Sequence, residues 1–188
     1  YLPACFLAMA QIAPAKVQLP NFITDSMVVQ QQSSLTIEGK ASHNVKITAS
    51  WNGKPTHAKL DKNGNFSVSL ATPPAGGPYT ITFDDNGDRT ILRDIYSGEV
   101  WLCSGQSNME MPLAGFWNCP IEDANETIAT ASQWKGIRVA TIEKNGQLEP
   151  VDRCKGNWRV SNPANAPAFS ATAFNFAMMM NRVLDIPV

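Results

Sequence analysis

A serine can open an ester when three conditions meet. Its hydroxyl must stand clear of the chain, a base must take its proton, and nearby amide N–H groups must receive the negative charge that forms on the carbonyl oxygen. One stretch of the sequence is built for the first and third conditions. It runs Gly98-Glu99-Val100-Trp101-Leu102-Cys103-Ser104-Gly105-Gln106-Ser107-Asn108-Met109-Glu110-Met111-Pro112. An apolar run leads straight into Ser-Gly-Gln-Ser-Asn. In open α/β sheets the crevice past the carboxyl end of a strand is where ligands bind. Gly105 allows a sharp turn where a Cβ would crowd a substrate. The string is not the Gly-x-Ser-x-Gly elbow of α/β-hydrolases, because Met109 stands where the second glycine would be. Ser, Gly and Asn are also ordinary turn residues, so composition alone leaves a plain polar turn open.

The base is harder to find. The chain has two histidines, His43 and His57, and both precede Ser107. His43 falls near a turn and His57 in a hairpin strand, which suits solvated histidines better than catalytic ones. The four cysteines form no CxxC pair and no Cys/His ligand spacing, so no metal site is expected. Cys103 reads as a small buried hydrophobe inside its apolar run. Cys119 and Cys154 lie in loop-like sequence, and whether they pair is left open, since pairing depends on Cα separation.

The elements that must position the serine divide into two textures. Up to about Ile95 the period is two: Val45, Ile47, Ala49 and Trp51 alternate with polar residues, as do Phe66, Val68 and Leu70, and Tyr79, Ile81 and Phe83. Asn52-Gly53, Asn63-Gly64 and Asn86-Gly87 separate the runs and supply the positive φ angles of tight hairpins. This predicts a small antiparallel β-sandwich, jelly-roll-like, over residues 11–95. From residue 96 the pattern changes. Val100 to Cys103 is apolar without alternation, as for a strand covered on both faces. Ile121, Ala124, Ile128 and Ala131 fall at helical spacing, Ile137 to Ile142 reads as a second buried strand, and Phe169 to Leu184 reads as a helix apolar nearly all round and deeply buried. Strand, helix, strand, helix is the order of a parallel α/β sheet.

Composition sets the outer bounds. The chain has 188 residues, 44% hydrophobic and 16% charged, with a formal net charge of -1. A packed core is expected, and the balance lacks the basic excess of a nucleic-acid binder. No apolar run reaches the roughly 20 residues of a membrane span. Leu2 to Ala10 is apolar and ends in the small-x-small pattern Ala8-Met9-Ala10, which reads as the remnant of a secretory leader over residues 1–10, with a buried first element as the alternative. Export to a periplasm, a medium or a lysosome-like lumen is therefore expected. Asn65-Phe66-Ser67 and Asn125-Glu126-Thr127 are glycosylation triplets that matter only in a eukaryotic secretory route.

The string from Trp101 to Met109 closely resembles the nucleophile block of the sialate O-acetylesterase family, within the SGNH group of esterases. Leu19-Pro20 with Asp25-Ser26-Met27-Val28-Val29-Gln30-Gln31 resembles the opening of that family's β domain. Trp158 to Pro163, Phe169-Ser170-Ala171-Thr172-Ala173 and Ile186-Pro187-Val188 resemble its middle section. The resemblance implies that Ser107 is the nucleophile, that Gln106, Asn108 and Gly105 orient substrate or the oxyanion, and that the substrate is an O-acetylated sugar such as sialic acid. It also implies that residues 96–188 open a flavodoxin-like SGNH domain. In the family the Gly-rich loop, the further Asn, and the Asp and His partners follow the matched region. The chain is accordingly expected to be an N-terminal fragment, inactive or nearly so by itself.

Serine acyl transfer needs no cofactor. Trp117, in the loop Gly115-Phe116-Trp117-Asn118, is the candidate for a ring that faces sugar, while Trp51 and Trp101 are expected in the core. The rival readings are a non-catalytic carbohydrate-binding protein and an esterase of acetyl xylan. A half-covered parallel sheet would expose strand edge and apolar helix surface. Amides after Gly98 should therefore exchange with deuterium faster than those of the β region, and uniform protection would contradict that expectation.

Overall fold

Alternating apolar residues form a strand when one face can be buried, and the first half of the chain does this repeatedly. The computed structural model describes residues 16–149, 151 and 154–188. The leader read at residues 1–10 lies outside them. Seven strands come first: β1 (Val28–Gln30), β2 (Ser34–Lys40), β3 (Val45–Ala49), β4 (Pro55–Ala58), β5 (Asn65–Ala71), β6 (Gly76–Asp85) and β7 (Asp88–Gly98). One curled sheet has the order β1-β7-β6-β3-β4, and β2 pairs with β5 as a separate two-stranded ribbon. Val45, Ile47, Phe66, Ile81, Phe83 and Ile95 are almost wholly buried, and both sheets send side chains into this one core.

The Asn-Gly turns work as their chemistry demands. Asn86 and Gly87 have φ of 53° and 99° between the paired Asp85 and Asp88, the left-handed geometry that closes a two-residue hairpin. Two details depart from expectation. β1 runs parallel to β7, with Val28 opposite Tyr96 and Gln30 opposite Gly98, so the sheet is not purely antiparallel. Trp51 lies in the turn after β3 rather than in the strand. It packs edge-on against Tyr79 with ring centres 5.6 Å apart, and its indole N–H donates to the Ala71 carbonyl at 2.9 Å.

The second half is assembled from shorter pieces. They are α1 (Ser107–Glu110), α2 (Ala124–Ala129), β8 (Arg138–Ala140), β9 (Trp158–Val160) and α3 (Ala171–Leu184). A smaller core gathers Leu113, Ala131, Ile137, Phe169, Phe174 and Val188. The expected two-faced burial of Val100 to Cys103 does not occur. Val100 is 42% exposed, Trp101 52% and Leu102 84%, and Cys103 is exposed as well. Such burial needs a neighbour on each edge and a cover on each face. Here Glu99 N–H donates to Pro187 O at 2.9 Å, Val100 N–H to Gln30 Oε1 at 3.0 Å, and Phe176 of α3 lies edge-on against a half-exposed Trp101.

Similar reasons correct two other expectations. α3 buries Ala171, Phe174 and Ala177 but exposes Met179 and Val183, because one face alone meets the core. β8 pairs antiparallel with β9, not in a parallel βαβ unit. A parallel contact does form at the chain's last residue. Val188 N–H donates to Gly136 O and Arg138 N–H donates to Val188 O, the offset pattern of parallel neighbours. Gly98 permits the matching approach on the other side, since a Cβ there would run into the Pro187 carbonyl.

One ionic contact ties the two cores. The Arg138 side chain, 5% exposed, lies across the Tyr96 ring at 4.7 Å and donates through Nη2 to both oxygens of Asp94, at 3.1 and 3.2 Å. Asp94 also accepts from Ser26 Oγ at 2.8 Å and sits at a φ of 57°. Asp94→Asn keeps the shape and tolerates that φ, but removes the charge that faces the guanidinium. Its partly exposed position tempers the cost to about 1–2 kcal/mol. Urea unfolding should show a lower midpoint at unchanged slope; an unchanged midpoint would contradict the contact's importance.

Candidate functional site

The chain leaves β7 at Gly98, runs eight residues outside any helix or strand, and turns into α1 at Ser107. Ser104 through Asn108 are all exposed. Gln106 occupies the position before the helix with φ -126° and ψ -132°, and its side chain caps nothing. Its carbonyl accepts from Met109 N–H at 2.9 Å and Glu110 N–H at 3.0 Å, and Ser107 O accepts from Met111 N–H at 3.0 Å. The amides of Ser107 and Asn108 have no acceptor among the described residues. They are the free donors that the start of a helical turn leaves over. The site thus offers an exposed hydroxyl with two unpaired N–H groups at its base. Gly105 is not in the left-handed region; a Cβ there would meet Met109 Cβ at 3.2 Å, so the close packing of Met109 is what favours glycine.

A cleft of about 880 Å³ adjoins this turn. Ser104, Gly105 and Gln106 line one end, and Trp101, Phe176 and Ile142 supply apolar wall. Ser107, Asn108 and Trp117 are not in the lining. Trp117 stands free in solvent at the tip of a tight turn. In that turn Phe116 and Cys119 exchange backbone hydrogen bonds of 3.1 and 3.0 Å. Gly115 makes the turn feasible at φ 75°, where a Cβ would come within 2.5 Å of Cys119 O. Trp101, expected in the core, instead meets Phe176 edge-on at 5.3 Å along the cleft wall.

Neither histidine joins the site. His43 Nδ1 lies 2.8 Å from Asp85 Oδ1 at the far end of β6, and His57 is exposed on β4; the cleft lining contains neither. Cys103, Cys119 and Cys154 are all free thiols, so Cys119 and Cys154 do not pair. Among the described residues, no cluster of three His, Cys, Asp or Glu side chains could hold a metal ion. Nor, among them, is any helix long and apolar enough to cross a membrane.

Spacing in the sequence does not disclose a bracket at the root of the serine segment. Glu99 accepts from Gln31 Nε2 at 2.9 Å and Gln30 Nε2 at 3.2 Å. Gln30 turns its carbonyl oxygen to Val100 N–H, and Gln31 turns its own to Ala75 N–H at 3.0 Å. The signal available beforehand was a pair of amides directly after an apolar triplet, which alone names no partner. Lys144 pairs with Glu110 across the mouth of the cleft.

No family model matches the chain. Sialate O-acetylesterase from Rattus norvegicus is 22% identical over 187 residues, covering 89% of this chain and 34% of that protein. The Mus musculus enzyme of that name is 23% identical with the same coverage. The Homo sapiens enzyme is 24% identical over 185 residues, covering 89% of this chain and 35% of its own length. A crystal structure of a carbohydrate acetylesterase from Xanthomonas citri superposes with a TM-score of 0.83 at 30% identity, over 91% of this chain and 38% of that one. The chain therefore spans about a third of the length of the curated relatives it matches. These likenesses support the sialate O-acetylesterase-type family for the chain.

The Glu99 bracket gives a pH prediction. The amides of Gln31, then Gln30, hold its carboxyl below its ordinary value of 4.5. A folded value below the unfolded one means that the stabilisation is full above the unfolded value and is lost as pH falls through the folded one. Glu99→Gln should therefore flatten the acid limb of stability below about pH 4.5. Urea midpoints taken down that limb would check it; parallel curves for the two proteins would refute the assignment.

Proposed function

We propose that the chain carries the nucleophile of an exported carbohydrate O-acetylesterase acting on sialic acid or a related acetylated sugar. The observation that carries the reading is the exposed Ser107 at the start of α1, its amide and that of Asn108 unpaired among the described residues, beside a cleft of substrate size. Likeness to a family whose named relatives are acetylesterases supports it. In this reading the described residues up to Ile95 are a jelly-roll-like β-sandwich. Those from Tyr96 onward open a flavodoxin-like SGNH domain.

Ser107 Oγ attacks the acetyl carbon while a base takes its proton. The carbonyl oxygen becomes an oxyanion held by the Ser107 N–H, with the Asn108 N–H beside it. The tetrahedral intermediate expels the sugar oxygen, which takes up the proton, and leaves an acetyl ester on Ser107. Water activated by the same base then releases acetate and restores the serine. Gln106, lining the cleft, orients the bound sugar; Trp117, outside the lining, leaves a free aromatic face in solvent on which sugar can stack. The imidazole is the part these residues do not supply, since His43 is engaged with Asp85 and His57 stands on another strand. General-base catalysis contributes roughly 10²–10⁴-fold, so the 188 residues alone should fall short of a complete triad by about that factor.

An external base can stand in for the missing one. The chain and its Ser107→Ala variant would be incubated with p-nitrophenyl acetate and imidazole, and then with an O-acetylated sialoside. Peptide mass spectrometry should find acetyl on Ser107 in the parent only, with acetate release above that of the variant. Equal acetate release and an unmodified Ser107 would leave a carbohydrate-binding protein as the better reading. Release from acetyl xylan but not from the sialoside would move the substrate to plant polysaccharide.

A further inference from the structure

The helix that presents Ser107 is a single turn of four residues with no side-chain cap. Nucleating one turn is unfavourable by itself, and isolated helices of this length do not persist in water. Catalytic geometry nevertheless needs a side chain held within about 0.5 Å. Something outside α1 must hold it.

The holder is the segment Phe169–Thr172, part of the Phe169-Ser170-Ala171-Thr172-Ala173 string to which no role has yet been given. Leu113 N–H donates to Phe169 O at 2.7 Å, and Ala171 N–H donates to Met111 O at 2.9 Å. Ser170 Oγ contacts Met109 Sδ at 3.4 Å while also accepting from Ala173 N–H at the start of α3. Thr172 Oγ1 donates to Asn108 O at 3.0 Å. The segment is itself fixed, because Phe169 and Phe174 on either side of it are fully buried. The backbone bonds could be made by any residue. The Thr172 bond could not. In the first turn of a helix a threonine hydroxyl commonly bonds its own backbone; this one reaches across to a residue 64 positions earlier.

We propose that Thr172 is a positioning residue for Ser107. By pinning the carbonyl of the residue that follows the nucleophile, its hydroxyl fixes α1 against the start of α3 and so fixes where the serine points. The consequence for catalysis rests on the esterase reading of Ser107; the clamp itself does not. Thr172 is exposed, so altering it leaves both cores intact.

The test uses the 188-residue chain with Thr172→Val, which keeps the shape and loses the hydroxyl, and Thr172→Ser, which keeps the hydroxyl. Backbone ¹⁵N order parameters are read at Asn108 to Met111. The parent should sit near ~0.85 there, Thr172→Val should fall below ~0.6, and Thr172→Ser should recover, with α3 rigid in all three. Imidazole-assisted acetylation of Ser107 should slow roughly fivefold in Thr172→Val and return in Thr172→Ser, as for one lost hydrogen bond. Unchanged order in α1 of Thr172→Val overturns the proposal. So does unchanged acetylation in that variant when the parent acetylates. A parent that does not acetylate overturns the esterase reading instead, and the order parameters still decide the clamp.

Discussion

A serine that attacks a carbonyl must be held still by atoms other than its own. Around Ser107, the nucleophile proposed above, the holding is almost entirely polar, and it comes from two directions. From behind, Gln30 and Gln31 grip Glu99 and the Val100 amide where the chain leaves the sheet. From the side, the start of α3 bonds Asn108 and Met111. Between these anchors, residues 100–106 run exposed. Directional bonds suit this task better than apolar packing. A hydrophobic contact tolerates sliding, whereas a hydrogen bond weakens steeply once its angle is lost.

The two cores make the anchors possible. The larger one fixes β1 and β7, and through them Gln30 and Gly98. The smaller one fixes Phe169 and Phe174, which frame the start of α3. Arg138 spans the gap, with its guanidinium almost fully buried and shared among Asp94, the Tyr96 ring and the carbonyls of Lys135 and Ile137. Its Nε is buried and has no partner among the described residues.

Much of the first half could be read directly from the residues. Ser67 and Ser69 between Phe66, Val68 and Leu70 announce a half-buried strand, and Asn86-Gly87 announces a tight hairpin, because both signals are local. Pairing direction is not local. Val28 to Gln30 look like any short apolar strand, and nothing in them says that β7 will run alongside in the same sense. Val100 to Cys103 show a further gap: an apolar run tells what a segment could bury, not what covers it. The family resemblance was legible because the specificity of the string from Trp101 to Met109 lies in consecutive residues. The contacts around it were not, since Gln30 with Glu99 and Val100, and Thr172 with Asn108, join positions 64 to 70 apart that meet only after folding. Trp101 was expected inside for its size and lies along a cleft wall, while Trp117, read as a ring that faces sugar, is solvent-exposed and outside that cleft's lining.

The contact between Gly98 and Pro187 closes a circuit. The chain departs from that point and, after the serine turn, both short helices and the β8–β9 ribbon, comes back to it. Severing one bond in the surface stretch 141–149 would leave contacts that span the cut: this seam, the backbone bonds of Val188 to Gly136 and Arg138, and the β8–β9 pairing.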